Sequence, residues 1–251
     1  MTLTDTGNRQ LATGNSTRSL KFSDYAVITF DCYGTLINWE VGILGALQPI
    51  LKKYGRNLSD AGVLELYSSF EPQIQSSGYM PYRQVLGEIV RKFGAKLVFT
   101  PTQNEIDSLA DSIRDWPPFP DTTAALRKLK TKYKLAIISN IDDDLLALSL
   151  RLMGIPFDHI ITAQQAKSYK PSHNNFNLAL QKIGLPKEKV LHAAESLYHD
   201  IAPANELGIA NVWVNRRGGK PGATKDVAAK PGMEVPDLKA LADVAVGSAV
   251  A

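Results

Sequence analysis

The sequence predicts an α/β protein, a Rossmann-like core of parallel strands with helices on both faces and a helical cap domain inserted after the first strand. Two observations carry that expectation. From residue 122 onward, short apolar runs alternate with helical periodicities, the pattern of βαβ units whose sheet is buried on both faces. Residues 39–117 break the alternation, offering helical periodicities but no strand.

Taken in order, residues 25–31 form an apolar run, β-branched at its centre, that stops at Asp31 before a Tyr-Gly-Thr turn. Runs of the same form cover 134–139, 157–162, 190–194 and 211–215, so five strands are expected. Helical patterns lie between them at 122–133, 143–153, 174–183 and 201–207, the last three closed by Gly154, Gly184 and Gly208. The insert carries helical periodicity at 44–54, 61–70, 82–93 and 104–113, and the Pro117-Pro118-Phe119-Pro120 cluster marks the return to the core. The expected organisation is a disordered leader over 1–22, a core formed by 23–38 and 118–251, and a cap over 39–117. Within the core, 218–232 reads as a loop and 236–246 as a helix docked on the core.

With 251 residues, one or two domains fit. Apolar residues at 44% and charged residues at 21% describe a packed globular chain. The net charge of +3 is scattered, without a basic block or interleaved aromatics, so no nucleic-acid partner is expected. Cys32 is the only cysteine, which rules out an intramolecular disulfide and suits a reducing, cytoplasmic setting. The leader, rich in Thr, Ser, Asn and Gly, lacks the apolar run of a secretory signal, and no stretch approaches the roughly 20 apolar residues needed to span a bilayer. No membrane partner is expected. An exposed apolar face on the cap would make a homodimer plausible.

Ligands of open parallel sheets bind beyond the carboxyl ends of the strands. Polar residues stand at four such ends: Asp31, Ser139-Asn140, Lys170, and Glu195-Ser196 with Asp200. Each alone also suits a helix cap or a solvated turn. Their recurrence in order, at successive strand ends, points to one cleft.

The segments FDCYGTL, ISN, YKP and ESLYHD, in that order, resemble the four motifs of the haloacid dehalogenase-like hydrolase superfamily, over roughly residues 23 to 217. The resemblance implies Asp31 as covalent nucleophile, Lys170 paired with it, Ser139 and Asn140 on the substrate's oxyanion, and Asp200 completing the site. Tyr33 and Thr35 are expected near the substrate, and backbone N–H groups at Tyr33 and Gly34 are candidates to orient the anion. The phosphatase branch carries an acid two residues after its nucleophile, which protonates the leaving alkoxide. Here that position is Tyr33, so the pattern is closer to the 2-haloacid dehalogenase branch, whose halide needs no proton.

Departures accompany the likeness. The cap arginine of that branch is missing from 64–70, and Arg83 or Arg56 is the expected substitute. A tyrosine expected six residues after Lys170 is Phe176, and a Ser-x-Asn pair is Glu195-Ser196-Leu197. The expectation is a cofactor-free, metal-free hydrolase of a carbon–halogen bond in a small organic acid. A Mg²⁺-dependent phosphatase using Glu195 and Asp200 is the alternative, and a non-catalytic binding protein the third. Near Asp200, His199 is expected at the surface of a helix start. Trp39, Tyr79, Met80 and Tyr82 are candidates to line an apolar cleft, and Cys32 is expected to pack as a small apolar side chain.

Overall fold

The computed structural model describes residues 20–76, 78–218 and 227–247. Its strands are β1 (Val27–Phe30), β2 (Lys134–Ser139), β3 (His159–Thr162), β4 (Val190–Ala194), β5 (Ala210–Val214) and β6 (Met233–Val235). All pair in parallel in one sheet, ordered β3-β2-β1-β4-β5-β6. Five strands lie where the apolar runs place them. β6 is an addition at the edge of the segment read as loop and helix, its three residues being too few to show a period.

Central β1 is buried along its whole length, as a strand covered on both faces must be. Phe30 stands opposite Ile137 on one side and Ala193 on the other. Asp31, Ser139 and Glu195 therefore emerge at the same sheet edge. The chain runs outward from β1 in both directions, which makes that edge the topological switch point where open sheets hold ligands.

Four helices form the insert that follows β1: α1 (Trp39–Lys53), α2 (Asp60–Gln75), α3 (Tyr82–Leu97) and α4 (Gln103–Asp111). Asn38 and Ser59 accept from backbone N–H groups at the first turns of α1 and α2, and Thr102 with Glu105 forms a capping box on α4. Gly42 lets α1 seat on Trp116, since a Cβ there would meet the indole at 2.3 Å. The core helices are α5 (Thr122–Lys130), α6 (Asp143–Met153), the single turn α7 (Ala163–Ala166), α8 (His173–Ile183), α9 (Ala202–Leu207) and α10 (Leu238–Val246). Gly154, Gly184 and Gly208, at φ 64°, 70° and 67°, end α6, α8 and α9 in the left-handed conformation a glycine allows.

The helix expected over 236–246 is α10, and it packs on the core through Lys128–Asp243 at 2.6 Å and a hydrogen bond from the Tyr133 hydroxyl to Ala245 O. Most of the leader lies outside the described residues, as do residues 219–226 of the expected loop. Leu20 and Phe22, assigned to the leader, instead pack against the core. No helix among the described residues is long and apolar enough to cross a membrane. The exposed large apolar side chains Val41, Val98, Leu152, Leu185 and Val244 belong to five different elements or loops.

Candidate active site

Asp31 leaves β1 into a tight turn. The N–H groups of Leu36 and Ile37 donate to Cys32 O, and that of Gly34 donates to Ile37 O. Gly34 takes φ +96°, a region few other residues adopt, and a Cβ on it would press on Trp39 Nε1 at 3.3 Å. Arg216, just beyond β5, braces this turn, donating from Nε to Thr35 O while its guanidinium pairs with Asp121. Since the Gly34 N–H is spent inside the turn, it does not serve as the expected anion donor.

The Asp31 carboxylate is held by both oxygens: Lys170 Nζ donates to Oδ1 at 2.8 Å, and Thr35 Oγ1 to Oδ2 at 2.8 Å. Lys170 also donates to Ile138 O and, at 2.6 Å, to Asp200 Oδ1. All three charged groups are buried, Lys170 to 2% exposure. One ammonium thus serves two carboxylates. Burial pushes the Asp31 carboxyl above the usual aspartate range, Lys170 opposing it and Asp200 adding to it. Burial also works against the charge on Asp200, but Lys170 and His192 overcome it and hold that carboxyl down at about 2. Burial disfavours the Lys170 ammonium too, yet the two carboxylates keep its pKa above the ordinary lysine value.

His192 lies in the middle of β4, where an apolar run gives no hint of chemistry. Its Nε2 meets Asp200 Oδ1 at 3.0 Å and its Nδ1 meets Thr29 Oγ1 at 2.8 Å. Asp200 Oδ2 and Ser139 Oγ are buried without a protein partner. Buried polar atoms rarely stay unsatisfied, so both are positioned for water or a ligand.

Between this cluster and the insert lies a small cavity of about 40 Å³ for water-sized centres, enough for roughly three waters. The core contributes Asp31, Ser139, Lys170, Ser196, His199 and Asp200, and the insert contributes Trp39, Glu71 and Tyr82. His199, expected at the surface of a helix start, is half-buried there. It stands on the cavity wall in a π-helical turn (Leu197–Ile201) ahead of α9, and burial drops it to about 4, so it is neutral at pH 7.

The expected substrate contacts divide. Ser139 and Asn140 border the cavity, but the Asn140 side chain clamps the Lys170 backbone, accepting from its N–H at 2.7 Å and donating to its carbonyl at 3.1 Å. Tyr33 offers the cavity its ring, while its hydroxyl bonds Ser149 of α6. Thr35 is fully buried and holds Asp31, and it also accepts from the Glu195 N–H, so it is not a substrate contact. Arg83 faces the outside, pairing with Asp111 and Asp144, and Arg56 bonds Val98 O. Neither replaces the missing arginine, because neither lines the cavity. Tyr82 and Trp39 do line it. Tyr79 and Met80 do not: Tyr79 stacks toward Tyr169, which donates to Met80 O. Phe176 packs against His192 away from the cavity. Cys32 is buried and its thiol is pushed up by burial, so it behaves as an inert apolar side chain.

Glu195 and Asp200 do not form the magnesium site their spacing suggested. The Glu195 carboxyl turns to Arg217 at 3.5 Å and borders a neighbouring cavity with Arg216 and Arg217, while Asp200 Oδ1 is taken by Lys170 and His192. Among the described residues, no three acid, His or Cys groups come together to hold a metal. These donors do not fit Mg²⁺, which demands near-octahedral oxygen ligands.

The family described as haloacid dehalogenase-like hydrolase matches residues 25–208. The (S)-2-haloacid dehalogenase H-109 of Pseudomonas putida is 28% identical over 219 residues, covering 86% of this chain and 96% of that one. A glyceraldehyde 3-phosphate phosphatase of Methanothermobacter thermautotrophicus is 31% identical, but over 47% of this chain and 53% of its own. In three dimensions, the L-2-haloacid dehalogenase of Xanthobacter autotrophicus with chloropropionic acid covalently bound superposes with a TM-score of 0.75 at 19% identity, covering 90% of this chain and all of that one. The two share a fold.

Proposed function

Because the chain belongs to the haloacid dehalogenase-like hydrolase family, we propose that it hydrolyses a carbon–halogen bond in a small organic acid through an ester on Asp31. The observation that carries this reading is the pairing of a buried, doubly held Asp31 with a tyrosine two residues on, whose hydroxyl is tied to Ser149. Position 33, where a phosphatase carries the acid that protonates an alkoxide, is a tyrosine committed to Ser149, and a halide needs no proton. The dehalogenase name of the relative from Pseudomonas putida agrees with it.

In the first step a carboxylate oxygen of Asp31 attacks the α-carbon in line, and the halogen departs as halide with the bonding electrons. Ser139 Oγ, which has no protein partner, donates to the substrate's carboxylate. Water then attacks the Asp31 carboxyl carbon and the bond from that carbon to the ester oxygen breaks; one of the water's protons ends on the departing oxygen, giving a 2-hydroxy acid, and the other is released to solvent as the Asp31 carboxylate is regenerated. Asp200 Oδ2, likewise without a protein partner, accepts from that water and orients it. No cofactor enters either step. Residues 39–117 act as a cap that closes the cavity from solvent. A small-molecule acid is the partner, and no nucleic acid or membrane is required.

The test pairs halide release from 2-chloropropanoate with phosphate release from p-nitrophenyl phosphate, each with Mg²⁺ and with EDTA. EDTA-insensitive halide release is expected. Phosphate release that EDTA abolishes would make the protein a metal-dependent phosphatase and overturn this reading.

A further inference from the structure

The insert's wall of the cavity holds a carboxyl group that the reaction above leaves unused. Glu71 lies near the end of α2 at 6% exposure, and its Oε1 accepts from the Tyr82 hydroxyl at 2.6 Å and the Tyr67 hydroxyl at 3.3 Å. The two hydroxyls also meet each other at 3.0 Å. No hydrogen bond among the described residues reaches Oε2, although Glu71 lines the cavity. A carboxyl fixed by two phenols on one oxygen, on a residue that lines the cavity, leaves its other oxygen available to a ligand.

The geometry of displacement says which part of the ligand. Asp31 attacks from the core, so in-line departure sends the leaving atom toward the insert, where Trp39, Glu71 and Tyr82 form the wall. The Tyr82 hydroxyl is committed to Glu71, whereas Trp39 Nε1, which has no protein partner, lies beside Gly34 in the turn that follows Asp31, on the nucleophile's side. No basic side chain stands there. Lys170, the one Lys or Arg among the cavity-lining residues, is bound to both aspartates.

We propose that Glu71, as the neutral acid, donates a hydrogen bond from its Oε2–H to the departing halide, occupying the role an arginine would otherwise fill. The proposal rests on the dehalogenase reading. As the carbon–halogen bond breaks, both electrons leave with the halogen, and the halide accepts the O–H while Glu71 keeps its proton. Burial favours the neutral form by raising the carboxyl above the usual glutamate range, the tyrosine hydrogen bonds opposing it in part. The titratable groups facing it are Tyr67 on its own helix, Tyr82 on α3, Tyr169 beyond Tyr82, and Asp31, Lys170, His199 and Asp200 across the cavity.

The experiment measures chloride and iodide release from the matching 2-halopropanoates by wild type, Glu71→Ala and Glu71→Gln across pH. Chloride leaves less readily and needs the donor more. Glu71→Ala is expected to lose about 10²-fold in kcat for chloride and about tenfold or less for iodide, with KM little changed. Wild type loses activity as pH rises through the Glu71 pKa, because the donor ionises. Glu71→Gln keeps an N–H donor, so it retains turnover and lacks that alkaline limb. If Glu71→Ala does not fold, the pH profile of Glu71→Gln carries the test. Equal losses for both halides, or an alkaline limb that persists in Glu71→Gln, overturn the proposal while halide release by wild type leaves the dehalogenase reading standing. Wild type that releases no halide overturns both.

Discussion

The Lys170 ammonium lies 2.6 Å from Asp200, closer than its 2.8 Å contact with Asp31. The proposed nucleophile therefore shares its counter-ion with a second carboxylate, and the negative charge of Asp200 adds to the rise that burial gives the Asp31 pKa. The site tolerates this because Asp31 needs charge only above its own pKa, whereas Asp200 is ionised over the whole working range.

Neutralising Asp200 separates its two effects. In Asp200→Asn, the acid limb of Asp31 ester formation is expected to move to lower pH, since a charge that raises the Asp31 pKa is gone. Ester hydrolysis, which relies on Oδ2, is expected to slow by about 10²-fold or more. Mass spectrometry of enzyme quenched during single turnovers reads both, as the pH dependence of ester appearance and as its accumulation.

Removing the cation is expected to cost stability as well as rate. Lys170→Met leaves two buried carboxylates facing each other without compensation, which costs about 3–5 kcal/mol at pH 7 by the general behaviour of broken buried pairs. Urea unfolding measures it. Adding Asp200→Asn to Lys170→Met is expected to recover part of the loss, because one of the stranded charges disappears.

Thr35 is tested by Thr35→Val, which keeps the shape of the side chain but removes the hydroxyl between Asp31 Oδ2 and the Glu195 N–H. Leaving a buried polar group unsatisfied costs about 1–3 kcal/mol. If much of that falls on the orientation of the nucleophile, ester formation slows by about 10- to 100-fold with KM little changed. An unchanged rate would show that Lys170 alone positions Asp31.

Glu195 gives a stability signature. Burial raises its carboxyl to about 7, with Arg217 opposing and Asp31 adding to the rise. Between the ordinary glutamate value of 4.5 and about 7 the folded state binds more protons than the unfolded state, so this group's stabilising contribution is present at low pH and lost as pH rises through that window. In Glu195→Gln the decline is expected to flatten, so that the variant gains on wild type at pH 8 relative to pH 5. Thermal melts at both pH values check it.

How much of this was legible in the sequence follows from where each residue lies. Asp31, Lys170 and Asp200 could be placed together because each follows a strand in a parallel sheet, where topology alone brings strand ends to one edge. Side-chain direction carried no such guarantee. Arg83 was a reasonable candidate by position, yet it starts α3 on the outer face and pairs with Asp111 and Asp144. Glu195 had the spacing of a metal ligand, but Arg217, far off in sequence, turns it away. His192 was hidden in an apolar strand. Glu71 was hidden too: the helical periodicity stops at residue 70 and Pro72 follows, whereas α2 runs through both to Gln75. Its partner Tyr82 comes from another helix, a contact no local pattern announces.

The measurement that tests the account most directly is a single turnover of 2-chloropropanoate in oxygen-18 water, with enzyme in excess. Water attacking the ester at the Asp31 carboxyl carbon puts the label into Asp31, so the peptide carrying it is expected to gain mass while the first product stays unlabelled. Label appearing directly in the 2-hydroxy acid, with Asp31 unlabelled, would contradict Asp31 as the covalent nucleophile.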